Sequence, residues 1–283
     1  MNTAAQIKEL VKQQYGEIAL QEKETNQSSC CGSGCCSTEV YNIMSEDYTP
    51  LEGYNADADL GLGCGLPTQF AHIKKGDVVV DLGSGAGNDC FVARAATGDT
   101  GKVIGIDFTP NMIARARENA EKLGFHNVEF RQGDIENIPM TSNMANVVVS
   151  NCVLNLVPDK NAVVQEIFRI LKPGGHFSIS DIVLAGQLPA ALLNAAEMYA
   201  GCVSGAIQKE VYLEIIRANG FQNITLQKEK PITLPDDILS NYLSAEDITR
   251  YKQSGTGIYS ITVYAEKPEK IEKEACCAPG CCA

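Results

Sequence analysis

The sequence predicts an α/β protein in which helices wind over both faces of a parallel sheet. Three observations carry that prediction. Short apolar runs of strand length alternate with amphipathic stretches of helical period from about residue 77 to about residue 219. The first strand runs directly into a turn with three glycines, DLGSGAG. A chain of 283 residues, 45% hydrophobic and 20% charged, also has enough apolar surface for one sizeable core.

The elements follow in order. Residues 3 to 20 read as an amphipathic helix, with Ile7, Leu10, Val11 and Tyr15 at helical spacing. KKGDVVVDLGSG gives a buried strand at about 77–82, and a helix follows the glycine turn over about 88–97. KVIGIDF is a second strand at about 102–108, and Asn111 to Leu123 is a helix ended by Gly124. NVEFRQGD supplies a third strand and ANVVVSN a fourth at about 145–150. Asp159 to Leu171 is a helix stopped by Lys172-Pro173-Gly174-Gly175, before a fifth strand in HFSISDIV. Helices are expected over about 189–203 and 208–219. QNITLQK and GIYSITVYAEK are then β-rich strands that a loop-and-helix insertion separates, so they can close as an antiparallel hairpin.

Twelve cysteines set this chain apart. Eight lie in adjacent pairs, Cys30-Cys31, Cys35-Cys36, Cys276-Cys277 and Cys281-Cys282, inside Gly/Ser-rich or charged low-complexity stretches. Three parts are therefore expected: a helix and cysteine-rich flexible segment at 1–40, the α/β domain at 41–267, and a cysteine-rich tail at 268–283. The opening residues, MNTAAQIKELVKQQYG, show no signal-peptide pattern, and no apolar run reaches the ~18–20 residues of a membrane span. A cytoplasmic location is expected, and soft-ion or redox chemistry is a stronger reading of the cysteines than a disulfide framework. The net charge of -12 argues against nucleic acid and anionic membranes as partners.

The candidate ligand site gathers at the carboxyl ends of the strands, where open α/β sheets bind ligands. Asp81 ends the first strand, and Gly83, Ser84, Gly85 and Gly87 form the turn. Glycine is needed there because a Cβ would block approach of a ligand to the backbone. Asp107, with Phe108 beside it, ends the second strand and can accept from ribose hydroxyls. Gly133, Asp134 and Ile135 follow the third, where Asp134 can bond an exocyclic amine and Ile135 can pack on an adenine ring. Met112 can cover the other face, and Asn151 ends the fourth strand.

DLGSGAG, IGID, QGDIENIP and LKPGGHF, in that order, resemble the class I S-adenosylmethionine methyltransferases over roughly residues 60 to 190. The resemblance implies a seven-stranded, mostly parallel Rossmann-like sheet with an antiparallel last strand. It also implies S-adenosylmethionine as cofactor, with the glycine turn beside its methionine part and Asp107 on the ribose.

The acceptor must then be a nucleophile held in line with an activated methyl. Cys152 lies just past the fourth strand, Cys64 in the loop GLGCGL, and Cys202 in EMYAGCVSGA after the fifth strand. Each is also the kind of residue that packs as a small hydrophobe. Together, three thiolates would suit a soft, trigonal pyramidal centre whose lone pair points at the methyl group. Trivalent arsenic fits that description, whereas zinc seeks a fourth ligand and has no lone pair to give. No general base is required, and His72, His126 and His176 read as structural.

GCGL, DLGSGAGNDC, VSNCVLNLVPDK and GCVSGA together resemble the arsenite methyltransferases over about residues 48 to 267. The resemblance implies that Cys152 and Cys202 hold methylated arsenite, and that Cys64 joins them on inorganic arsenite. It also implies a further cysteine among Cys30, Cys31, Cys35 and Cys36, of which Cys35 or Cys36 is favoured as nearer the core. Repeated rounds would need a thiol reductant of thioredoxin or glutathione type, and the activity would serve arsenic detoxification. The paired cysteines read either as arsenite capture and electron supply on a tether, or as solvated tails. Two alternatives remain: a methyltransferase acting on a quinone or other small organic acceptor, and a non-enzymatic protein that sequesters soft metals or arsenic.

Overall fold

The computed structural model describes residues 3–21, 46–188, 205–233, 236–254 and 256–269. Seven strands form one sheet: β1 Val78–Leu82, β2 Lys102–Asp107, β3 Val128–Gln132, β4 Ala145–Asn151, β5 Leu171–Ala185, β6 Gln222–Ile232 and β7 Gly257–Glu266. Their order is β3-β2-β1-β4-β5-β7-β6. The first five pair in parallel, while β7 runs antiparallel to both β5 and β6. This is the Rossmann-like methyltransferase sheet that the sequence predicts.

The described helices are α1 Ala4–Ile18, α2 Pro67–Phe70, α3 Asn88–Thr97, α4 Pro110–Lys122, α5 Lys160–Ile170, α6 Lys209–Ala218, α7 Asp236–Leu239 and α8 Ala245–Gln253. The expected helix at 189–203 lies outside the described residues, as do the paired cysteines. None of the described helices is long and apolar enough to cross a membrane.

Alternation along the strands divides the core. Val79, Val103, Val147 and Val149 face Phe91 and Ala93 of α3 and Ile113 and Ala116 of α4. Val80, Leu82, Ile104, Ile106 and Val148 face Val163, Val164 and Ile167 of α5 and Ile216 of α6. A third cluster joins Val11 of α1, Cys64, Cys152, Ile182, Leu239 and Ile248. The sheet edge at β6 is exposed and carries Lys228, Glu229, Lys230 and Pro231, residues that discourage pairing with another chain.

The fifth strand starts earlier than HFSISDIV suggests. Leu171 already pairs with Ala145, and Pro173-Gly174-Gly175 then bulges before His176 meets Val147. A Cβ at Gly175 would lie 2.9 Å from the carbonyl oxygens of Asn146 and Lys172, so the bulge needs glycine. The end of α5 is closed from the far side of the chain. Buried Lys267 donates to the carbonyls of Phe168 and Leu171 at 2.7 Å and to Asn143 Oδ1 at 2.8 Å. A cation at a helix C-terminus also meets the favourable end of its dipole.

Candidate active site

The turn after β1 is built on backbone that only glycine adopts cheaply: φ is 72° at Gly83, 51° at Gly85 and 101° at Gly87, which caps α3. Two of these glycines also make room for neighbours. A Cβ at Gly83 would lie 2.3 Å from Val153 Cγ2, and one at Gly87 would lie 2.9 Å from the rings of Phe130 and Phe91. Gly85 is different: the nearest atom its Cβ would meet is Met112 Sδ at 4.0 Å. Its face opens into a cavity that is open to solvent.

Of the residues singled out in the sequence, Asp81, Gly83, Ser84, Gly85, Asp107, Phe108, Met112, Asp134, Ile135, Asn151 and Cys152 line that cavity. Gly87 and Gly133 do not. Gly87 shapes the helix start, and Gly133 lets the chain pass Pro139, whose ring a Cβ would meet at 2.6 Å.

The cavity wall is acidic. Burial, with Asp89 close by, raises the carboxyl of Asp81 well above the usual range. Burial raises Asp89 to about 6 and lifts Asp107, although backbone amides at Thr109 and Gly85 partly offset the latter. Gly85 N–H donates to Asp107 Oδ2 at 3.0 Å and Thr109 N–H to Oδ1 at 2.8 Å. Burial is the leading cause of the rise at all three carboxyls. Ser84 Oγ and Asn88 Oδ1 also border the cavity, buried and without a hydrogen-bond partner among the described residues. Orphaned polar atoms and buried carboxyls fit a ligand that is cationic and rich in hydrogen-bonding groups, as the sulfonium and ammonium of S-adenosylmethionine make it.

Helix α1 roofs this cavity with Lys8, Val11 and Tyr15, a placement the sequence does not announce. Lys8 Nζ lies 2.6 Å from Asp134 Oδ2 and also pairs with Glu136. Asp134, expected to meet an exocyclic amine, is thus engaged by the roof. At the other end Arg115 donates to the carbonyls of Ala19 at 2.9 Å and Gln21 at 2.6 Å, and Asn111 donates to Gly16 O at 3.1 Å.

Beside β4 lies the end where an acceptor would sit. Cys152 is 4% exposed and has φ 61°, a conformation that costs a non-glycine residue about 1–2 kcal/mol. Its N–H donates to Ser180 O at 2.8 Å, tying it to β5. Cys64 is fully buried in the same apolar cluster. Its N–H donates to Asn151 Oδ1 at 3.0 Å, and its carbonyl accepts from Ser260 Oγ at 2.6 Å. The structure therefore places Cys64 and Cys152 in one apolar cluster, with Cys152 but not Cys64 on the cavity wall, whereas Cys202, Cys35 and Cys36 lie outside the described residues. Cys90 belongs to the packing of α3: its thiol donates to Asp81 Oδ2 at 3.2 Å, and burial beside that carboxyl holds it protonated.

Sequence reading missed two features here. Tyr48 and Asp89 meet Asn151 behind the Cys64 loop. Asp181, fully buried on β5, is raised to about 7 by burial, and Tyr212 points its hydroxyl at it from 3.4 Å. Neither has a local motif. Only the buried position of SISDIV on an interior strand hinted that Asp181 would be unusual.

A mostly parallel seven-stranded sheet with a glycine-turned, acidic cavity at its carboxyl ends defines an S-adenosylmethionine-dependent methyltransferase, and a family profile described as a methyltransferase domain matches residues 73–220. The relatives narrow it. An arsenite methyltransferase of Halobacterium salinarum is 38% identical, the match covering 94% of this chain and 68% of that protein. One from Aquipseudomonas alcaligenes is 32% identical, over 83% of this chain and 68% of its own. The crystal structure of an arsenic(III) S-adenosylmethionine methyltransferase from Chlamydomonas reinhardtii superposes with a TM-score of 0.62 at 32% identity, covering 73% of this chain and 68% of that one. The chain belongs to the arsenite methyltransferase family.

Proposed function

We propose that this protein methylates trivalent arsenic, both as arsenite and as methylated arsenite, with cysteine thiolates holding the arsenic against the cofactor cavity. Cys152 carries the reading: it is at once a wall of that cavity, a member of the cluster that holds Cys64, and a residue kept in a costly backbone conformation. Cys202 would complete the set on inorganic arsenite, with Cys35 or Cys36 as a further cysteine.

When bound, S-adenosylmethionine supplies the electrophile, a sulfonium-activated methyl group that a lone pair can take up without a base. Asp81, Gly83, Ser84 and Gly85 would hold its methionine part and Asp107 its ribose hydroxyls. Phe108, Met112 and Ile135 would flank the adenine, with Asp134 at its edge. Gly87 and Gly133 would act through the shape they give the turn and the end of β3, and Asn151 through the Cys64 loop. Each thiol that joins arsenite passes its proton to a departing hydroxyl, which leaves as water. The thiolates keep the arsenic electron-rich, and Val153, Leu156 and Val157 on the cavity wall exclude water that would compete for the methyl. Methylation leaves arsenic pentavalent. Two electrons from two thiols, which become a disulfide, return it to the trivalent state, and a thioredoxin- or glutathione-type reductant in the cytoplasm would restore those thiols.

On this reading residues 41–267 form the catalytic domain between the cysteine-rich segments 1–40 and 268–283. X-ray absorption at the arsenic edge tests it on protein loaded with one equivalent of arsenite. Three sulfur neighbours per arsenic, falling to two in Cys152→Ser, support the proposal. Oxygen neighbours alone, or a sulfur count that ignores the substitution, overturn it.

A further inference from the structure

Asn151 ends β4 beside Cys152 and commits both sides of its amide to other groups. Its Oδ1 accepts from Cys64 N–H at 3.0 Å and Gly65 N–H at 3.2 Å. The two N–H groups of its Nδ2 are shared among Tyr48 Oη at 2.5 Å, Gly65 O at 2.8 Å and, more distantly, Asp89 Oδ2 at 3.3 Å. Tyr48, itself buried, donates its hydroxyl proton to Asp89 Oδ2 at 2.8 Å. The hydroxyl thus accepts from the amide and donates to the carboxylate.

This arrangement admits one orientation of the amide. Turned over, Asn151 would aim its NH₂ at two N–H donors and its oxygen at a carboxylate. The loop is pressed on that amide by glycines: a Cβ at Gly63 would lie 2.5 Å from Asn151 Nδ2, and one at Gly65 2.4 Å from Ser180 Oγ. Backbone position at Cys64 is therefore read from the amide, and the amide is set by Tyr48 and Asp89.

The geometry points to Tyr48 and Asp89 as positioning residues for the Cys64 thiol, acting through Asn151. The inference rests on the proposed reading of Cys64 as the third arsenic ligand. Its consequence is selective. Inorganic arsenite offers three valences to thiols, whereas methylarsenite already bonds carbon at one and needs only two, at Cys152 and Cys202. A displaced Cys64 therefore penalises arsenite more than methylarsenite, while a general loss of structure lowers both alike.

The test is the ratio of kcat/KM for arsenite to kcat/KM for methylarsenite, measured on the full chain with saturating S-adenosylmethionine. Tyr48→Phe, Asp89→Asn and Cys64→Ser are compared with the parent protein. Losing one hydrogen bond to a charged group is enough to lower the ratio about tenfold or more in Tyr48→Phe, with Asp89→Asn moving the same way. Either variant, if folded, suffices. A ratio that stays within about twofold in both, while Cys64→Ser shifts it, overturns the positioning role and leaves the ligand assignment standing. A ratio unmoved by Cys64→Ser overturns the ligand assignment, and the positioning role with it.

Discussion

Replacing Asp181 with asparagine should stabilise this protein, and more so as pH rises. Asp181 is fully buried on β5. Its Oδ1 accepts from Ile182 N–H at 2.9 Å, and its Oδ2 lies 3.4 Å from the Tyr212 hydroxyl. Burial raises the carboxyl from 3.8 to about 7, against the opposing effects of the Lys160 charge, the Ile182 amide and the Tyr212 hydroxyl. A carboxyl raised by folding stabilises the native state below its unfolded pKa, and that contribution is lost as pH climbs through the folded value. The gap of about three pH units corresponds to about 4 kcal/mol at ~1.4 kcal/mol per unit. Asparagine keeps the shape, its oxygen can still accept from Ile182, and its NH₂ can donate to the Tyr212 oxygen. Urea unfolding followed by circular dichroism, at intervals from about pH 5 to pH 8, measures the difference between the two proteins. Asp81, Asp89 and Asp107 titrate in both and cancel. The variant should gain on the parent steadily up to about pH 7 and level off near 4 kcal/mol above it. A difference constant in pH, or a variant less stable at pH 8, would refute the reasoning.

Other expectations are as direct. Gly83→Ala forces a Cβ against Val153 at 2.3 Å on a backbone with φ 72°, so S-adenosylmethionine binding by calorimetry should weaken at least about tenfold. Lys267→Met leaves the carbonyls of Phe168 and Leu171 without the cation that closes α5, and should cost about 2–3 kcal/mol in urea unfolding. Ionised carboxylates in the wall should favour a cationic ligand. Because burial raises Asp89 to about 6, cofactor affinity should strengthen as pH rises through that value; affinity that weakened instead would count against the acidic wall as the binding determinant.

What the sequence disclosed and what it withheld divide along physical lines. Strands whose neighbours bury both faces announce themselves as apolar runs, and VVVDL, KVIGID and ANVVVSN fold where expected. Helix α3 fills 88–97 as read, since Gly87 and Gly98 punctuate both ends. Local signals fail where the partner is remote. The stripe Ile7, Leu10, Val11, Tyr15 marks α1 as amphipathic but not what it covers: Val11 and Tyr15 roof the cavity, while Leu10 stays 36% exposed. Lys8 looks like any surface lysine until Asp134, far along the chain, meets it. Asn151 reads as a cofactor contact because it ends a strand, yet its amide is spent on the loop at Cys64 and on Tyr48 and Asp89. Asp181 shows the same limit from the other side: nothing near it in sequence marks a partner, and the sheet supplies one by bringing Tyr212 of α6 over β5. Cysteine chemistry is legible from residue type and motif, and its geometry only from the fold.

The central claim is that Cys152 presents trivalent arsenic to the cofactor cavity for methylation. The most direct test is chromatographic arsenic speciation after full-length protein is incubated with arsenite, S-adenosylmethionine and a thiol reductant, beside samples that carry Cys152→Ala or omit the cofactor. The account predicts methylated arsenic that disappears in both controls. Methylation undiminished in Cys152→Ala, or none from parent protein with cofactor demonstrably bound, would contradict it.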